Sequence, residues 1–461
     1  MKPRQIVCGC VAVLALSLPG AQLPTHAQAT GPLNPIGPIR QLPVPGARDM
    51  SLEPSPLDSA QPQAQGDTHT LSSIEMLGVG SLGLVRSFLD PSFYFSQSAD
   101  TGIFPGTTNS VTSLGMNLTF NRNEERSRLT GSYSGAHVFD SPDSVYDTTY
   151  HNLSVSQEIH WARWVLRLHD DLVISSEASF GGLDSGGTST QLAQQSSANI
   201  NDTILTQRSR RLNDTTAGEV DYFLSRRSTV TFAGNYAALH FSNSGFINSN
   251  GITGRVGYDY ALDPRDSVGL LYNYSHVTFS GSLPALQTDA IQLAYGRKIT
   301  GRLAFQLSAG PQLLRSSSLR IVNWTLSSGA TYQTRRAQYS ISYMHGISAG
   351  SGIYAGSQND TVSGMVRYAL TRLWATSFGG GYAFNQPPTP VATVNSSFGT
   401  WYGTASASRN IGRHLQFSMN YRYQQQAAGA GTCPAATCGP TQSRQVLGGT
   451  FSWHPWPLAA Q

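Results

Sequence analysis

Residues 239–245 contain the two side chains with the clearest potential for a reaction. His240 and Ser242 are two positions apart, and residues at that spacing on an extended strand point to the same face of a sheet. An imidazole beside a hydroxyl is the arrangement that activates a serine as a nucleophile. Phe232 and Tyr236 share the same parity, so the pair would lie on an apolar face. The interpretation we favour is a strand that runs into a polar loop.

The cysteines and an acidic histidine segment offer little further chemistry. Cys433 and Cys438 are close in sequence, and in an oxidising compartment such a pair favours a small disulfide on a loop. A metal site is the alternative, but it would need soft or imidazole ligands that the flanking residues do not offer. The segment 169–171, His-Asp-Asp, indicates a solvated face rather than a weak cation site. We therefore predict no metal and no cofactor.

The N-terminal residues 1–29 have the pattern of a secretory signal peptide. Lys2 and Arg4 precede an apolar stretch, and Ala27 and Ala29 supply the small residues of a cleavage site. The apolar stretch is shorter than the ~20 residues that a spanning helix needs, which favours cleavage over an N-terminal anchor.

Two segments separate this leader from the regular part of the chain. Residues 30–70 are rich in proline and glutamine, so they cannot bury enough apolar area to offset their ordering entropy and are predicted to form a disordered periplasmic tail. Residues 71–92 are more apolar and ambiguous, since they fit either a short helix or a first strand.

The composition is unusual for a soluble protein. Only 12% of the residues are charged, whereas 46 glycines and 20 tyrosines stand beside many small polar residues; a soluble domain carries about twice that charge. The mixture suits a sheet with one face in lipid and the other in water. The formal net charge of +4 is spread along the chain, which argues against a nucleic-acid partner.

Beyond about Phe93, apolar and polar residues alternate over stretches of about ten residues. Successive side chains of a strand point to opposite faces, so each stretch presents one apolar and one polar face. No window approaches 18 consecutive apolar residues, which excludes helical spans there. Clear examples are 114–120, 153–159, 256–262, 303–309 and 415–423.

Short and long links alternate between these stretches. Eight short links carry charged or turn-forming residues, near 123–126, 161–163, 225–228, 263–266, 300–302, 335–336, 371–372 and 411–413. Longer links rich in Gly, Ser, Asn and Pro lie between them, such as 139–147, 176–203, 242–250, 385–395 and 426–442. Short turns at one rim and long loops at the other are typical of outer-membrane barrels.

These links predict an all-β fold, a transmembrane antiparallel up-and-down barrel over 93–454 with about 18 strands, or 16 if the first is absent. Both ends of the barrel would face the periplasm, and residues 455–461 would form a C-terminal tail. A β-propeller shares the repeat length of about 37 residues, but its blades would need four short strands per repeat.

The region from Phe93 to Trp453 resembles the outer-membrane β-barrel superfamily of Gram-negative bacteria, including the porins. The resemblance rests on the strand pattern and on residues 446–453, which are similar to the aromatic-ended last strand that the outer-membrane assembly machinery binds. It implies a bacterial outer-membrane location, with membrane lipid and that machinery as partners. Tryptophans near strand ends fit either interfacial girdles or general lipid-facing bulk: Trp161, Trp164, Trp374, Trp401 and Trp453.

The segment 239–245 also resembles the His-x-Ser-Asn core of the lipid A 3-O-deacylase barrels and, more loosely, outer-membrane phospholipase A. The resemblance implies that His240 is the general base and Ser242 the acyl nucleophile. That pattern expects a carboxylate about a dozen residues after the serine, where Gly254 stands, and Asp259 matches poorly. The related barrels are also smaller, so we do not predict an enzyme.

The leading functional hypothesis is a passive, water-filled pore for small polar or neutral solutes, because a barrel of this size encloses an aqueous channel. Its predicted lining is polar and mostly uncharged: Gln306, Ser308, Gln312, Ser418, Asn420 and Arg422. The link 176–203 could fold inward as a constriction. The alternatives are a plugged structural or export-associated barrel and the lipid hydrolase with His240 and Ser242.

Overall fold

The computed structural model describes residues 87–101, 108–141, 148–175, 209–243, 245–317, 319–349, 352–371, 373–388, 397–412, 414–428, 441–455 and 458–459. The predicted signal peptide, the tail 30–70, the constriction loop 176–203 and the cysteine pair lie outside these residues. The described residues all belong to one compact unit. No helix among the described residues is long and apolar enough to cross a bilayer.

The described residues form one antiparallel sheet in which every long strand pairs with its sequence neighbours. The first half of the wall comprises β1 (Phe88–Asp100), β2 (Asn109–Asn123), β3 (Ser127–Ser141), β4 (Thr148–His160), β5 (Trp164–Ser175), β6 (Arg211–Phe223), β7 (Ser228–Phe241), β8 (Ser249–Ala261) and β9 (Asp266–Phe279). The second half comprises β10 (Leu286–Lys298), β11 (Leu303–Ser316), β12 (Leu319–Gln333), β13 (Ala337–Ser348), β14 (Ser357–Ala369), β15 (Trp374–Gln386), β16 (Phe398–Ile411), β17 (Leu415–Ala428) and β18 (Thr441–Trp453).

The sheet closes on itself between its first and last long strands. β1 pairs with β18 from Phe93 opposite Trp453 to Asp100 opposite Val446, so 18 strands form a complete circle without a free edge. At this seam Arg444 of β18 forms a charge-assisted ion pair with Asp100 of β1, since its Nη2 lies 2.5 Å from Asp100 Oδ2. A two-residue strand, β19 (Leu458–Ala459), continues along β1 beyond β18.

Strict alternation places apolar side chains outside and polar side chains inside. In β8 every second residue, from Ser249 to Ala261, is buried, while the positions between them include Ile252, Val256 and Tyr258 and are largely exposed. Exposed aliphatic and aromatic residues at the outward parity recur around the wall. A closed barrel of this kind satisfies its backbone hydrogen bonds internally and presents an apolar exterior, which is the architecture that spans bacterial outer membranes.

Five of the eight short links share one local feature, a side-chain oxygen that caps the turn. Thr300 Oγ1 accepts the backbone N–H groups of Arg302 and Leu303 at 3.2 and 3.0 Å. Asp263 Oδ1 likewise accepts the backbone N–H groups of Arg265 and Asp266 in the preceding short link. These two hydrogen bonds lower the pKa of the Asp263 carboxyl. Side-chain to backbone bonds of this type favour turns over continued strands. The same two-bond pattern occurs at Ser225, Thr334 and Thr371.

The prediction of an 18-stranded antiparallel barrel is confirmed, and each of the eight predicted short links joins two consecutive strands. β1 begins at Phe88, so its first residues belong to the segment 71–92 that was ambiguous from sequence. The start of β1 and the end of β18 lie at the short-link rim, because Phe88 is opposite Asn121, near the end of β2. We call the other end, where β1 leads to β2, the long-link rim.

Candidate functional site: the barrel interior

The inner wall contains all six residues predicted to line a pore. Gln306, Ser308 and Gln312 share the inward parity of β11, opposite the outward Phe305 and Leu313. On β17, Ser418, Asn420 and Arg422 alternate with the outward Phe417, Met419 and Tyr421. Ser308 and Gln312 are buried, whereas Asn420 is exposed within the barrel. Their role in conduction remains a prediction.

Burial of the inward side chains differs between two sectors of the wall. From β5 to β9 most inward residues are buried, Thr231, Thr253 and Leu271 among them. On β13 to β17 many are partly or fully exposed, for example Ser342 and Arg367. The described interior therefore combines a packed sector with a sector that is open to water.

A charged cluster dominates the packed sector. Arg167 on β5 lies 3.3 Å from Glu158 on β4, 2.8 Å from Glu219 and 2.5 Å from Asp221, both on β6. Thr231 on β7 donates to the second oxygen of Asp221 at 2.6 Å. The strand register brings these residues together, because Glu158, Arg167 and Glu219 occupy one row across the sheet.

Two further charged residues extend this cluster along β8. Arg255 donates to Asn273 at 2.7 Å, and Asp259 is only 2% exposed. Four buried polar atoms of the cluster have no hydrogen-bond partner among the described residues: Arg167 Nη2, Glu219 Oε2, Arg255 Nη1 and Asp259 Oδ2. Buried polar atoms usually have a hydrogen-bond partner, so these four atoms are available to bind water or a polar solute.

The sequence analysis did not single out this cluster as lining. Glu219, Asp221, Arg255 and Asp259 lie at the inward parity of their strands, between outward apolar residues such as Val220. Their inward parity was the sequence feature that could have identified them as lining residues. The contacts depend on the register between strands, which alternation within one strand does not specify.

The long-link rim is narrowed by the described part of the link between β13 and β14, which is Ala349 and residues 352–356. Ile347 and Ala349 pack with Val277 and Leu286 of β9 and β10. The carbonyl of Gly352 accepts the N–H of Ile247, in the link between β7 and β8, at 2.8 Å. The contact joins two links that are six strands apart along the wall, so residues 352–356 lie across part of the mouth.

Two glycines allow this path. Gly352 and Gly356 have φ values of +79° and +90°, a region that side chains with a Cβ rarely adopt. A Cβ on Gly352 would also overlap the ring of Phe241, and one on Gly356 would lie 2.9 Å from Leu286. The constriction that the sequence suggested in 176–203 lies outside the described residues and stays a prediction. The short, uncharged segment 349–356 contains no sequence feature that would have identified it as a second candidate.

The described residues do not form a catalytic triad around His240. His240 is outward and exposed near the end of β7, and Ser242 lies just beyond that strand. Asp259 is inward and close to the opposite rim, because it pairs with Thr229 at the other end of β7. Gly254 occupies the middle of β8. Among the described residues, no hydrogen bond joins His240 to a carboxylate.

The remaining candidates are also placed. His169 Nε2 lies 2.5 Å from Asp171 Oδ2 on the inner face of β5, while Asp170 points outward and accepts from Thr216. No group of three metal-ligating side chains occurs within the described ranges. Trp161, Trp164, Trp374 and Trp453 lie at the short-link rim, and Trp401 lies nearer the other rim.

No protein-family model and no curated protein matches the chain. Among solved structures, Pseudomonas aeruginosa OpdQ is similar with a TM-score of 0.42 and 10% identity over 81% of this chain and 99% of that one. Pseudomonas aeruginosa OccK2 (OpdF) reaches 0.42 at 7% identity over 81% and 98% of the two chains. Pseudomonas aeruginosa OprD reaches 0.40 at 9% identity over 80% and 96%. These similarities are too low to carry a functional argument.

Proposed function

We propose that the chain is an outer-membrane pore through which small polar solutes diffuse. The observation that carries the proposal is the closed circle of 18 strands with a polar inner face, because barrels of 16–18 strands leave an aqueous channel. The exposed inner residues of β13 to β17, such as Ser342 and Asn420, are the surface that water and solute would meet.

Selection by charge follows from the inner wall. The packed sector has more carboxylates than guanidinium groups, whereas Arg367 and Arg422 lie on the inner face of β14 and β17. A solute would therefore pass between one sector with an excess of carboxylates and another with guanidinium groups. Fixed charges in a confined space act strongly on ions. This modifies the expectation of a polar and mostly uncharged lumen.

Single-channel conductance in planar bilayers tests the proposal. Purified barrel should produce long-lived, stepwise conductance whose size is reproducible between insertions. A barrel that is folded, shown by its shifted migration on unheated gels, yet silent would contradict the pore. It would favour a plugged scaffold, which the link 349–356 and the packed inner sector support.

A lipid hydrolase receives no support from the residues around His240. An assay of lipid deacylation with the wild-type barrel and with Ser242→Ala provides the check, and we expect no activity that depends on Ser242. Binding of β18 by the assembly machinery stays a prediction.

A further inference from the structure

The short-link rim carries a ring of exposed arginines. Arg126, Arg163, Arg265 and Arg302 each occupy a different short link, and two more links contain the adjacent pairs 226/227 and 335/336. All eight side chains are exposed, and none forms a salt bridge with another described residue. The two other short links, 370–373 and 412–414, also contain an arginine in their sequence.

Turn geometry does not require these side chains. Five of the turns are held by the oxygens of Ser225, Asp263, Thr300, Thr334 and Thr371, and the arginines contribute only backbone N–H and C=O groups. Any residue other than proline could supply both groups. The guanidinium groups therefore need an explanation outside the fold.

The opposite rim has a different character. Of its described links, 242–243, 245–248, 280–285, 352–356 and 387–388 contain no charged residue, and 209–210 contains one arginine, Arg210. Only two lysines occur in the whole chain, so the positive charge of the short-link rim is almost entirely guanidinium. Arginine presents a planar fork of donors that matches phosphate oxygens.

Aromatic residues on the outer face indicate where the ring of arginines lies relative to the membrane. Trp164 packs on Tyr222 with ring centroids 4.3 Å apart, and both lie beside short links. Arg409 is outward at the same rim, with its guanidinium 5.5 Å from the centroid of the Trp374 ring. Tryptophan and tyrosine concentrate at the headgroup level of membranes, so the arginine ring lies where lipid phosphates lie.

We propose that the short-link rim binds anionic phospholipid headgroups and enriches them around the barrel. The outward position of Arg409 and the girdle beside it favour a lipid over a soluble partner, which would not need to reach the outer face. This inference is independent of the pore, since it concerns the perimeter and not the lumen.

The test uses the full chain reconstituted in phosphatidylethanolamine vesicles with spin-labelled phosphatidylglycerol or spin-labelled phosphatidylcholine as probe. At low salt the wild type should prefer the anionic probe, and the preference should weaken as salt screens it. We expect R335Q/R336Q to lower the preference, and the quadruple variant that adds R226Q/R227Q to lower it about twofold or more.

R315Q/R320Q is the control at the opposite rim, because it removes two exposed arginines from the long-link rim, one of which, Arg315, lies 3.6 Å from Asp289. It should retain the wild-type preference. R335K/R336K should retain most of it, since the charge remains. Equal preference in the wild type and the glutamine variants would overturn the proposal, as would an equal loss in R315Q/R320Q. Binding of soluble polyglutamate that depends on Arg335 and Arg336, with unchanged lipid preference, would assign the ring to a soluble acidic partner instead.

Discussion

Arg167 is the residue on which the inner charged cluster depends. It contacts three carboxylates on two neighbouring strands and is almost fully buried. Without it, Glu219 and Asp221 would remain close together with only Arg255 nearby. Removing one partner of a buried ion pair is costly because the other charge is left uncompensated.

We therefore expect Arg167→Met to destabilise the barrel by about 3–5 kcal/mol, measured by urea unfolding in detergent micelles. Arg367→Met serves as its control, since Arg367 is exposed on the inner wall and forms no salt bridge to a described residue. The control should change stability by less than about 0.5 kcal/mol. A loss for Arg167→Met no larger than that of the control would show that the cluster is dispensable for folding.

At this scale the sequence predicted parity but not partners. Alternation along β11 and β17 placed Gln306, Ser308 and Asn420 on the inner face, as the structure has them. The contacts of Arg167 could not be predicted, because they join β5 to residues 52 and 54 positions away. The same limit applies to His240 and Asp259. They belong to one sequence motif, but the barrel places them near opposite rims and on opposite faces of the wall.

The turn from β8 to β9 gives an element-scale prediction with a pH dependence. The Asp263 carboxylate accepts two backbone N–H groups, and its pKa is lowered in the folded barrel. A depressed folded pKa means that the stabilisation is present above the unfolded pKa of about 3.9 and is lost as pH falls through the folded value. Thr300 holds the next turn with the same two bonds and does not titrate.

We expect Asp263→Ala to lower the unfolding midpoint at pH 7 and to differ little from wild type once the pH is below the folded pKa. Thr300→Ala should lower the midpoint by a similar amount at both pH values. Urea unfolding of both variants at neutral and acidic pH provides the measurement. A penalty for Asp263→Ala that persists in acid would contradict the role of the carboxylate charge.

Links were predictable from sequence when their residues have strong local preferences. Five of the eight short links contain a Ser, Thr or Asp whose side-chain oxygen binds the backbone of its own turn. The segment 349–356 was not predicted as a constriction, because its position depends on Val277, Leu286 and Ile247 of distant elements.

Closure of the sheet is the property of the whole molecule. β1 and β18 pair across eight residues and carry the Asp100–Arg444 ion pair. Loss of β18 would leave β1 and β17 as unpaired edges, and open edges are not tolerated in a bilayer. β19 adds only two residue pairs to the seam.

We expect a chain that ends before Thr441 to give no compact, heat-modifiable species after refolding in detergent. A chain that ends after His454 lacks β19 and should fold with wild-type migration. Gel mobility with and without heating distinguishes the two. Failure of the longer chain to fold would mean that residues 455–461 contribute more than the two pairs of β19.

The sequence by itself determined the fold class, the strand number and the rim at which the barrel begins and ends. These follow from period-two alternation and from turn residues, which act within a few positions along the chain. Only the tertiary structure decided which inward charges meet, where the mouth narrows and that no triad forms at His240. Each of these depends on strand register and closure, which bring together residues far apart in sequence.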